Sequence, residues 1–344
     1  MTARPKIVRT DAELECPGLD AALRERGDLV LLPDGVSEDR LRDEVRDADL
    51  LLMCYTPVTA NVLESAQRLK GIVKYGVGID AIDVEAAKAR TIPVVNVPAY
   101  AEETVAEGAF ALMIALAKRL RPLQKAMDSC GWVWPENRWL ASDLSGKTLG
   151  LIGLGRIGTS MARMAGRGFN MRVLAYSPKT PEETVKAAGA EKRDNLRGML
   201  ADCDFVSVHA VLNAETRGLI GADELTAMKP SAFLINTARG AILDEAALLV
   251  TLKSGAIAGA ALDVFCHEPL DTEDHALRDL FGMDNVILTP HLTFFTREAM
   301  DRLTTDTLAR CDELLGGAPV LIKSQDPRLT SQRHGVTVAR RDKL

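Results

Sequence analysis

The sequence predicts an α/β protein of two doubly wound parallel-sheet domains. Three observations predict it. Short β-rich runs alternate with amphipathic helical stretches almost throughout, the pattern of parallel sheets with helical crossovers. Most of these runs are apolar from end to end, as expected of strands covered on both faces. The chain has 344 residues, more than one ordinary hydrophobic core serves.

In the first hundred residues the strand candidates are KIVR from Lys6, LVLL from Leu29, LLLM from Leu50, GIVKYG from Gly71 and PVVNV from Pro93. Helical stretches such as 38–46 and 84–89 separate them. One long helix is expected over 102–127, and its centre, AEGAFALMIALAK, is apolar nearly all round, which suits burial between layers. A second series follows: TLGLIG from Thr148, RVLAYS from Arg172, DFVSVHAV from Asp204, AFLINTA from Ala232, AGAALDVF from Ala258 and NVILTPH from Asn285. Six strands make a complete dinucleotide-binding sheet. The helix expected over 296–315 has no strand after it. Its return to the N-terminal unit makes that domain discontinuous, 1–99 with 297–344 around 100–296. The tail over 324–344 is polar and basic and is expected to be mobile or wrapped on the surface.

Composition excludes several classes. The net charge of −6 and the lack of a dense Lys/Arg run argue against nucleic acid or anionic lipid as a main partner. The N-terminus has no signal-peptide apolar core, and the longest apolar stretch, Ala109 to Ala117, is too short to span a bilayer. A cytoplasmic location without membrane contact is expected. The six cysteines are scattered without a CxxC pair, which fits neither a disulfide framework nor a zinc site. They read as reduced thiols, mostly filling core, and no metal site is expected.

The segment GLGRIG sets Gly153, Gly155 and Gly158 at GxGxxG spacing, between the strand TLGLI and the helix RIGTSMARMA. The first glycine allows the tight turn, the second lets backbone approach a pyrophosphate, and the third lets helix and strand pack closely. The helix N-terminus adds free N–H groups and partial positive charge. After the next strand, Ser177 stands where an acid would bond the ribose hydroxyls. Lys179 and Thr180 are placed to meet a 2′-phosphate, so the reading leans to NADP or dual use; Lys179 also fits a solvated loop lysine.

Five histidines exist. His291 ends NVILTPH, at the carboxyl edge where open α/β sheets bind ligands. His209 lies within an apolar run, as a core residue would. His275 falls in a charged loop and His334 in the tail, while His267, beside Glu268, is the serious competitor. Three successive strand ends present Arg239 (NTARG), Glu268 (DVFCHEPL) and His291. A guanidinium binds a carboxylate bidentately. A carboxylate beside histidine favours the charged imidazole and fixes its tautomer. Histidine exchanges protons near neutral pH.

On these residues, and on KYGVGIDAID, ETVAEGAFALMIAL, LSGKTLGLIGLGRIG, MKPSAFLINTARGAILDEAAL, AGAALDVFCHEPL and NVILTPHLT, the chain resembles the D-isomer-specific 2-hydroxyacid dehydrogenases, which include glyoxylate/hydroxypyruvate reductases and phosphoglycerate dehydrogenases. The resemblance runs from about Leu50 to Leu315. It implies a Rossmann cofactor domain, a flavodoxin-like discontinuous substrate domain and a cleft between them that closes. It implies NAD(P) as cofactor, a small 2-oxoacid or 2-hydroxyacid as substrate, and a homodimer through the cofactor domains. It assigns substrate binding to Arg239 and to the backbone N–H groups of Val77 and Gly78, support of the histidine to Glu268, and general acid/base work to His291. It assigns cofactor contacts to Thr104, Arg156 and Ile157, with Ala238 and Asp263 at the nicotinamide end.

The chain departs from the family pattern at four places. Ser177 replaces a frequent aspartate, Val211 stands where HxP is common, Gly108 follows VAE where histidine is frequent, and LTFFT after His291 is bulkier than usual. Phe294 and Phe295 narrow the pocket, serve a dimer contact or simply pack. Trp132, Trp134 and Trp139 fall where relatives have an arm that reaches the partner subunit, and are interface or core candidates. Two other readings stand beside the dehydrogenase: a nicotinamide-sensing corepressor-like binding module of the same fold, and formate dehydrogenase, which has glutamine at the position of Glu268.

Overall fold

The computed structural model describes residues 4–339. They form two compact units, one of 4–101 with 296–339 and the other of 102–295.

The first unit is organised by a five-stranded parallel sheet. Its strands are β1 (Lys6–Arg9), β2 (Asp28–Leu31), β3 (Leu50–Met53), β4 (Gly71–Lys74) and β5 (Val94–Asn96), in the order β2-β1-β3-β4-β5. That is the flavodoxin-like order. The crossover helices are α1 (Leu19–Arg26), α2 (Glu38–Val45), α3 (Ala60–Ser65) and α4 (Val84–Ala89). The last three begin where sequence chemistry says they should: the side chains of Ser37, Thr59 and Asp83 each accept a bond from a first-turn N–H, satisfying donors that a helix start leaves open. β3 and β4 are buried along their whole length.

The second unit carries a seven-stranded parallel sheet. β6 (Thr148–Ile152), β7 (Arg172–Tyr176), β8 (Glu191–Lys192), β9 (Phe205–Val208), β10 (Phe233–Asn236), β11 (Gly259–Leu262) and β12 (Val286–Leu288) stand in the order β12-β11-β10-β9-β6-β7-β8. The order reverses direction at β6 and β9, the switch point at which such sheets bind ligands. The expected count was six. The extra strand, β8, is two charged residues at the sheet edge; it has no apolar run to announce it, and charge there blunts edge pairing.

The single helix expected over 102–127 is two, α5 (Glu102–Ala117) and α6 (Leu120–Cys130). The chain breaks at Arg119, whose φ is +52°. Pro122 explains the break: it has no N–H to continue the α5 ladder, but it is harmless in the first turn of a new helix. α5 packs against α7 (Arg156–Arg163), β10 and β11. Its Ala109, Phe110, Met113 and Leu116 join Leu149 and Leu151 of β6 in one core. Ile152 faces the opposite core, with α8 (Glu182–Ala187) outside it and α9 (Leu196–Asp202), α10 (Ala222–Ala227) and α11 (Glu245–Ser254) contributing Met199, Leu225 and Leu248. The strands are thus covered on both sides, which is why their sequence runs are continuously apolar.

The chain then returns through α12 (Arg297–Leu315), which packs on β3 and β4 of the first unit. Gly71 permits this approach, since a Cβ there would lie 2.6 Å from Leu314. Contrary to expectation, two strands follow, β13 (Val320–Ile322) and β14 (Val336–Val338), paired in parallel with α13 (Pro327–Thr330) between them. The tail is docked as far as 339; residues 340–344 of the expected tail lie outside the described residues. The anchor is Gln332, 8% exposed. Its Oε1 accepts from Val94 N at 2.8 Å, and its Nε2 donates to Val94 O at 2.8 Å and to Leu329 O at 3.0 Å. One side chain thereby satisfies both backbone groups of Val94 in β5.

Replacing Gln332 with alanine strands both backbone groups of Val94 and should cost about 2 kcal/mol, read as a lower urea midpoint with unchanged slope. An unchanged midpoint would mean that the docked tail does not stabilise the unit.

Candidate active site

The glycine loop follows β6. Gly153 has a φ of +93°, and a Cβ there would stand 2.7 Å from Ala210 N. A Cβ on Gly158 would stand 2.4 Å from Gly153 O. These two glycines close the loop against the end of β9 and against itself. Gly155 differs: a Cβ there meets nothing within 4 Å. It is the N-cap of α7, with no side-chain cap. The three glycines therefore divide as the motif requires, two for packing and one facing open space beside unsatisfied helix N–H groups. Such a cradle fits a dinucleotide pyrophosphate.

Around the cradle, Arg156 pairs with Glu102 at 3.1 Å. Glu103 accepts from Ser160 at 2.7 Å and pairs with Arg163, locking the first turn of α5 to α7. Thr104 is buried in that turn, and Ile157 is partly exposed. Beyond β7, Ser177 Oγ is 2.8 Å from Thr180 Oγ1 and accepts from Leu154 N at 3.3 Å. Lys179 pairs with Glu215 at 2.6 Å, both largely exposed. Val211 is exposed.

The ends of β10, β11 and β12 carry the second cluster. Arg239 precedes Gly240, whose Cβ would fall 2.0 Å from the Phe265 carbonyl carbon. Only glycine lets the Arg239 loop lie against the loop that carries Glu268. Glu268 Oε1 accepts from Phe265 N at 2.8 Å, and Oε2 lies 2.8 Å from His291 Nδ1. The Glu268–Pro269 peptide is cis. Burial by itself pushes the Glu268 carboxyl up. The His291 hydrogen bond and charge, the Phe265 amide and the Arg239 charge outweigh it and hold the group below the ordinary carboxylate range. Arg239 donates to Ala238 O at 2.7 Å, and Ala238 N donates to Asn236 Oδ1 at 3.0 Å.

His291 has a φ of +57°, unusual for a residue with a Cβ and the kind of strain that collects at working sites. Asp263 holds it there. Fully buried, Asp263 accepts from Thr289 Oγ1 at 2.6 Å, Leu292 N at 3.0 Å, Thr293 N at 3.1 Å and Thr293 Oγ1 at 2.6 Å. The resemblance put Asp263 at the cofactor. In the structure both of its oxygens accept bonds from the His291 loop. The Phe294 ring stands edge-on to His291, centroids 6.2 Å apart. Phe294 is buried, whereas Phe295 is 41% exposed.

The other histidines fall elsewhere. His209 follows β9 with Nε2 2.9 Å from Ser207 Oγ, and burial pushes its imidazole down to about 4. His267 offers only its carbonyl, to His275. His334 is exposed in the tail. In the first unit, Val77 is 46% exposed, and its carbonyl accepts from Asn96 Nδ2 at 2.6 Å, fixing the turn that carries Val77 and Gly78. Of the cysteines only Cys54, Cys203 and Cys311 are buried; Cys130 and Cys266 are exposed and Cys16 lies between, so half rather than most fill core. Trp132 and Trp134 are 66% and 73% exposed, which excludes core filling for both.

Sequence reasoning missed Gly240 and the bonds that tie Asp263 to the His291 loop. It noticed Gly108 and the LTFFT segment separately. The structure joins them, since a Cβ on Gly108 would lie 2.8 Å from Thr293 Cβ. The small residue on α5 makes room for the bulkier segment after His291. Among the described residues, no helix is long and apolar enough to cross a membrane.

A doubly wound sheet with a glycine cradle at its switch point, and a guanidinium, a carboxylate and an imidazole on its strand ends, defines a nicotinamide-nucleotide oxidoreductase. The family model of the D-isomer specific 2-hydroxyacid dehydrogenase NAD binding domain matches residues 110–293. A glyoxylate reductase of Pyrococcus furiosus is 41% identical over 282 residues, 79% of this chain and 82% of that one. A D-3-phosphoglycerate dehydrogenase of Methanocaldococcus jannaschii is 39% identical over 296 residues, 86% of this chain but 55% of that longer protein. Among solved structures, D-lactate dehydrogenase of Aquifex aeolicus with NAD and lactic acid superposes with TM-score 0.81 at 30% identity, covering 90% of this chain and 97% of the other. An NADPH-dependent glyoxylate/hydroxypyruvate reductase of Sinorhizobium meliloti with NADP and malonate superposes at 0.81 with 28% identity, covering 96% and 99%. The chain belongs to the D-isomer specific 2-hydroxyacid dehydrogenase family and is an NAD(P)-dependent 2-hydroxyacid dehydrogenase; the corepressor reading is not favoured.

Gly155→Ala tests the cradle. With open space around the new methyl group the thermal midpoint should stay unchanged, while reduced-cofactor affinity measured by fluorescence titration drops at least tenfold. Undiminished affinity would remove Gly155 from the cofactor site.

Proposed function

We propose that this enzyme reduces a small 2-oxoacid such as glyoxylate or hydroxypyruvate to the D-2-hydroxyacid, with His291 as general acid/base. The observation that carries the reading is the 2.8 Å bond between His291 Nδ1 and Glu268 Oε2. It commits one ring nitrogen to a carboxylate, so that Nε2 is the atom that exchanges a proton with the substrate oxygen. The bound nicotinamide supplies the hydride for reduction and accepts it in reverse. Arg239 holds the substrate carboxylate, and the N–H groups of Val77 and Gly78 add donors to it. Glu268, kept anionic by the causes above, stabilises the imidazolium before it gives up its proton. Gly153, Gly155, Arg156, Ile157 and Gly158 hold the pyrophosphate, with Thr104 and Ala238 beside the cofactor.

The cofactor reading is NADP or dual use. Ser177 and Thr180 present hydroxyls where a carboxylate would repel a 2′-phosphate, and an exposed ion pair such as Lys179–Glu215 holds its lysine by no more than about 1 kcal/mol, weakly enough for a phosphate to compete. The exposed Trp132 and Trp134, with Leu140 at 72% exposure, support a homodimer through this segment.

The test is a 2-oxoacid panel run with NADH and NADPH. Oxidation of NADPH by glyoxylate or hydroxypyruvate is expected; inertness toward the whole panel would overturn the reading. His291→Asn should lower kcat by roughly a thousandfold without lowering the thermal midpoint, because asparagine tolerates the positive φ better than histidine. Near-normal turnover would unseat His291.

Glu268→Gln gives the pH test. Reduction needs a protonated imidazole, and removing the neighbouring anion disfavours that form. The pH above which reduction declines should fall; a profile that stays put, or moves upward, would contradict the assigned role.

A further inference from the structure

The first unit holds a reactive pair that the proposed chemistry does not use. Cys54 directly follows β3, and Lys74 ends the neighbouring β4. Lys74 Nζ donates to Cys54 O at 2.6 Å and lies 2.9 Å from Cys54 Sγ. It also stands 5.4 Å over the ring of Tyr55. Both residues are buried, Cys54 at 6% exposure and Lys74 at 5%. Among the described residues no carboxylate pairs with this ammonium. A buried cation without a counter-ion is costly, and this one is aimed at sulfur.

We propose that Cys54 and Lys74 form a covalent oxidation site, in which a peroxide links Sγ to Nζ through a single oxygen atom. The chemistry balances in two steps. The thiol is oxidised by one hydrogen peroxide to the sulfenic acid, releasing one water. The sulfenic acid and the neutral amine then lose two hydrogens to a second peroxide, forming S–O–N and releasing two waters. Sulfur and nitrogen together give up four electrons, two peroxides become three waters, and the ammonium returns one proton to solvent. Geometry decides between this exit and the usual ladder to sulfinic acid. The amine nitrogen is already in contact with the sulfur, while burial limits further encounters with oxidant. Burial also pushes the Cys54 thiol up, against the neighbouring Lys74 charge, so the site answers sustained peroxide rather than traces.

The bridge staples the ends of β3 and β4 and abolishes the ammonium charge. It lies beneath the turn that carries Val77 and Gly78: a Cβ on Gly76 would stand 2.9 Å from Nζ. Its effect on substrate affinity rests on the role proposed above for those amides; its formation does not.

The test is peptide mapping of the full-length protein after graded hydrogen peroxide. Trypsin cannot cut at a bridged Lys74, so peptide 47–68 should appear joined to 71–88, about 14 Da above the sum of the two (one oxygen gained, two hydrogens lost), and should separate again with dithiothreitol. The exposed Cys130 and Cys266 are internal controls for oxidant dose. Cys54→Ser and Lys74→Arg should each abolish the joined species, and Lys74→Arg should let Cys54 continue to sulfinic acid. The proposal falls if wild-type Cys54 gains only oxygen on peptide 47–68, if it forms a disulfide with Cys16, or if it stays unmodified at doses that oxidise both controls.

Discussion

A carboxylate sealed from solvent, with two hydrogen bonds on each oxygen, ties the end of β11 to the loop after β12. Asp263 is fully buried, and it bonds Thr289 on one side of His291 and Leu292 and Thr293 on the other. A buried anion is tolerated only when so saturated, and saturation leaves the loop one geometry. That geometry includes a histidine with φ +57°, which the loop would not adopt unaided. The Glu268–His291 bond, and with it the direction of the imidazole, depends on this arrangement. The first unit repeats the device at Asp11, whose buried carboxylate accepts from the amides of Cys54, Tyr55 and Thr56 and from two threonine hydroxyls. In both units the carboxyl edge of the sheet is organised by an acid that never meets solvent.

Glycines set the complementary constraint. Gly240 admits the Phe265–Cys266 backbone, Gly108 admits Thr293, and Gly153 admits the end of β9. Each brings a loop of the site closer to its support than a Cβ permits. Gly108 and Thr293 show how two departures from a family pattern can be one change: the space lost after His291 is recovered on α5. Judged alone, either position reads as an oddity.

Much of this was legible in the sequence, because the signals were physical and local. Apolar runs marked eleven of the twelve strands of the two main sheets, and the glycine spacing stood out through its flanking strand and helix. Arg239, Glu268 and His291 were legible because each ends such a run. The signal failed where no apolar run stood out. β8 is two charged residues, and the paired tail strands have three residues each in a polar stretch, although Val320, Ile322 and Leu329 are buried and Gln332 bonds Val94. The break between α5 and α6 was readable from Pro122, but the apolar stripe running past it concealed the stop. Asp263 was legible as a site residue but its bonds to the His291 loop were not, since nothing in a sequence says which way a carboxylate at a strand end turns.

The roles that the reading gives to each unit bear on what sequence alone leaves open. The groups that the reading assigns to proton transfer and charge, Arg239, Glu268 and His291, stand within one unit at the ends of three neighbouring strands, and the Glu268–His291 bond is made inside it. Backbone amides at Val77 and Gly78 are all that the reading asks of the other unit for the substrate carboxylate, and amides do not discriminate among 2-oxoacids. Discrimination must then come from side chains and loop shape around the remainder of the substrate. A triad that reads clearly in sequence and a substrate range that does not are two results of one architecture: the chemistry is written in residue types at strand ends, while selectivity is written in the shape of the space around them.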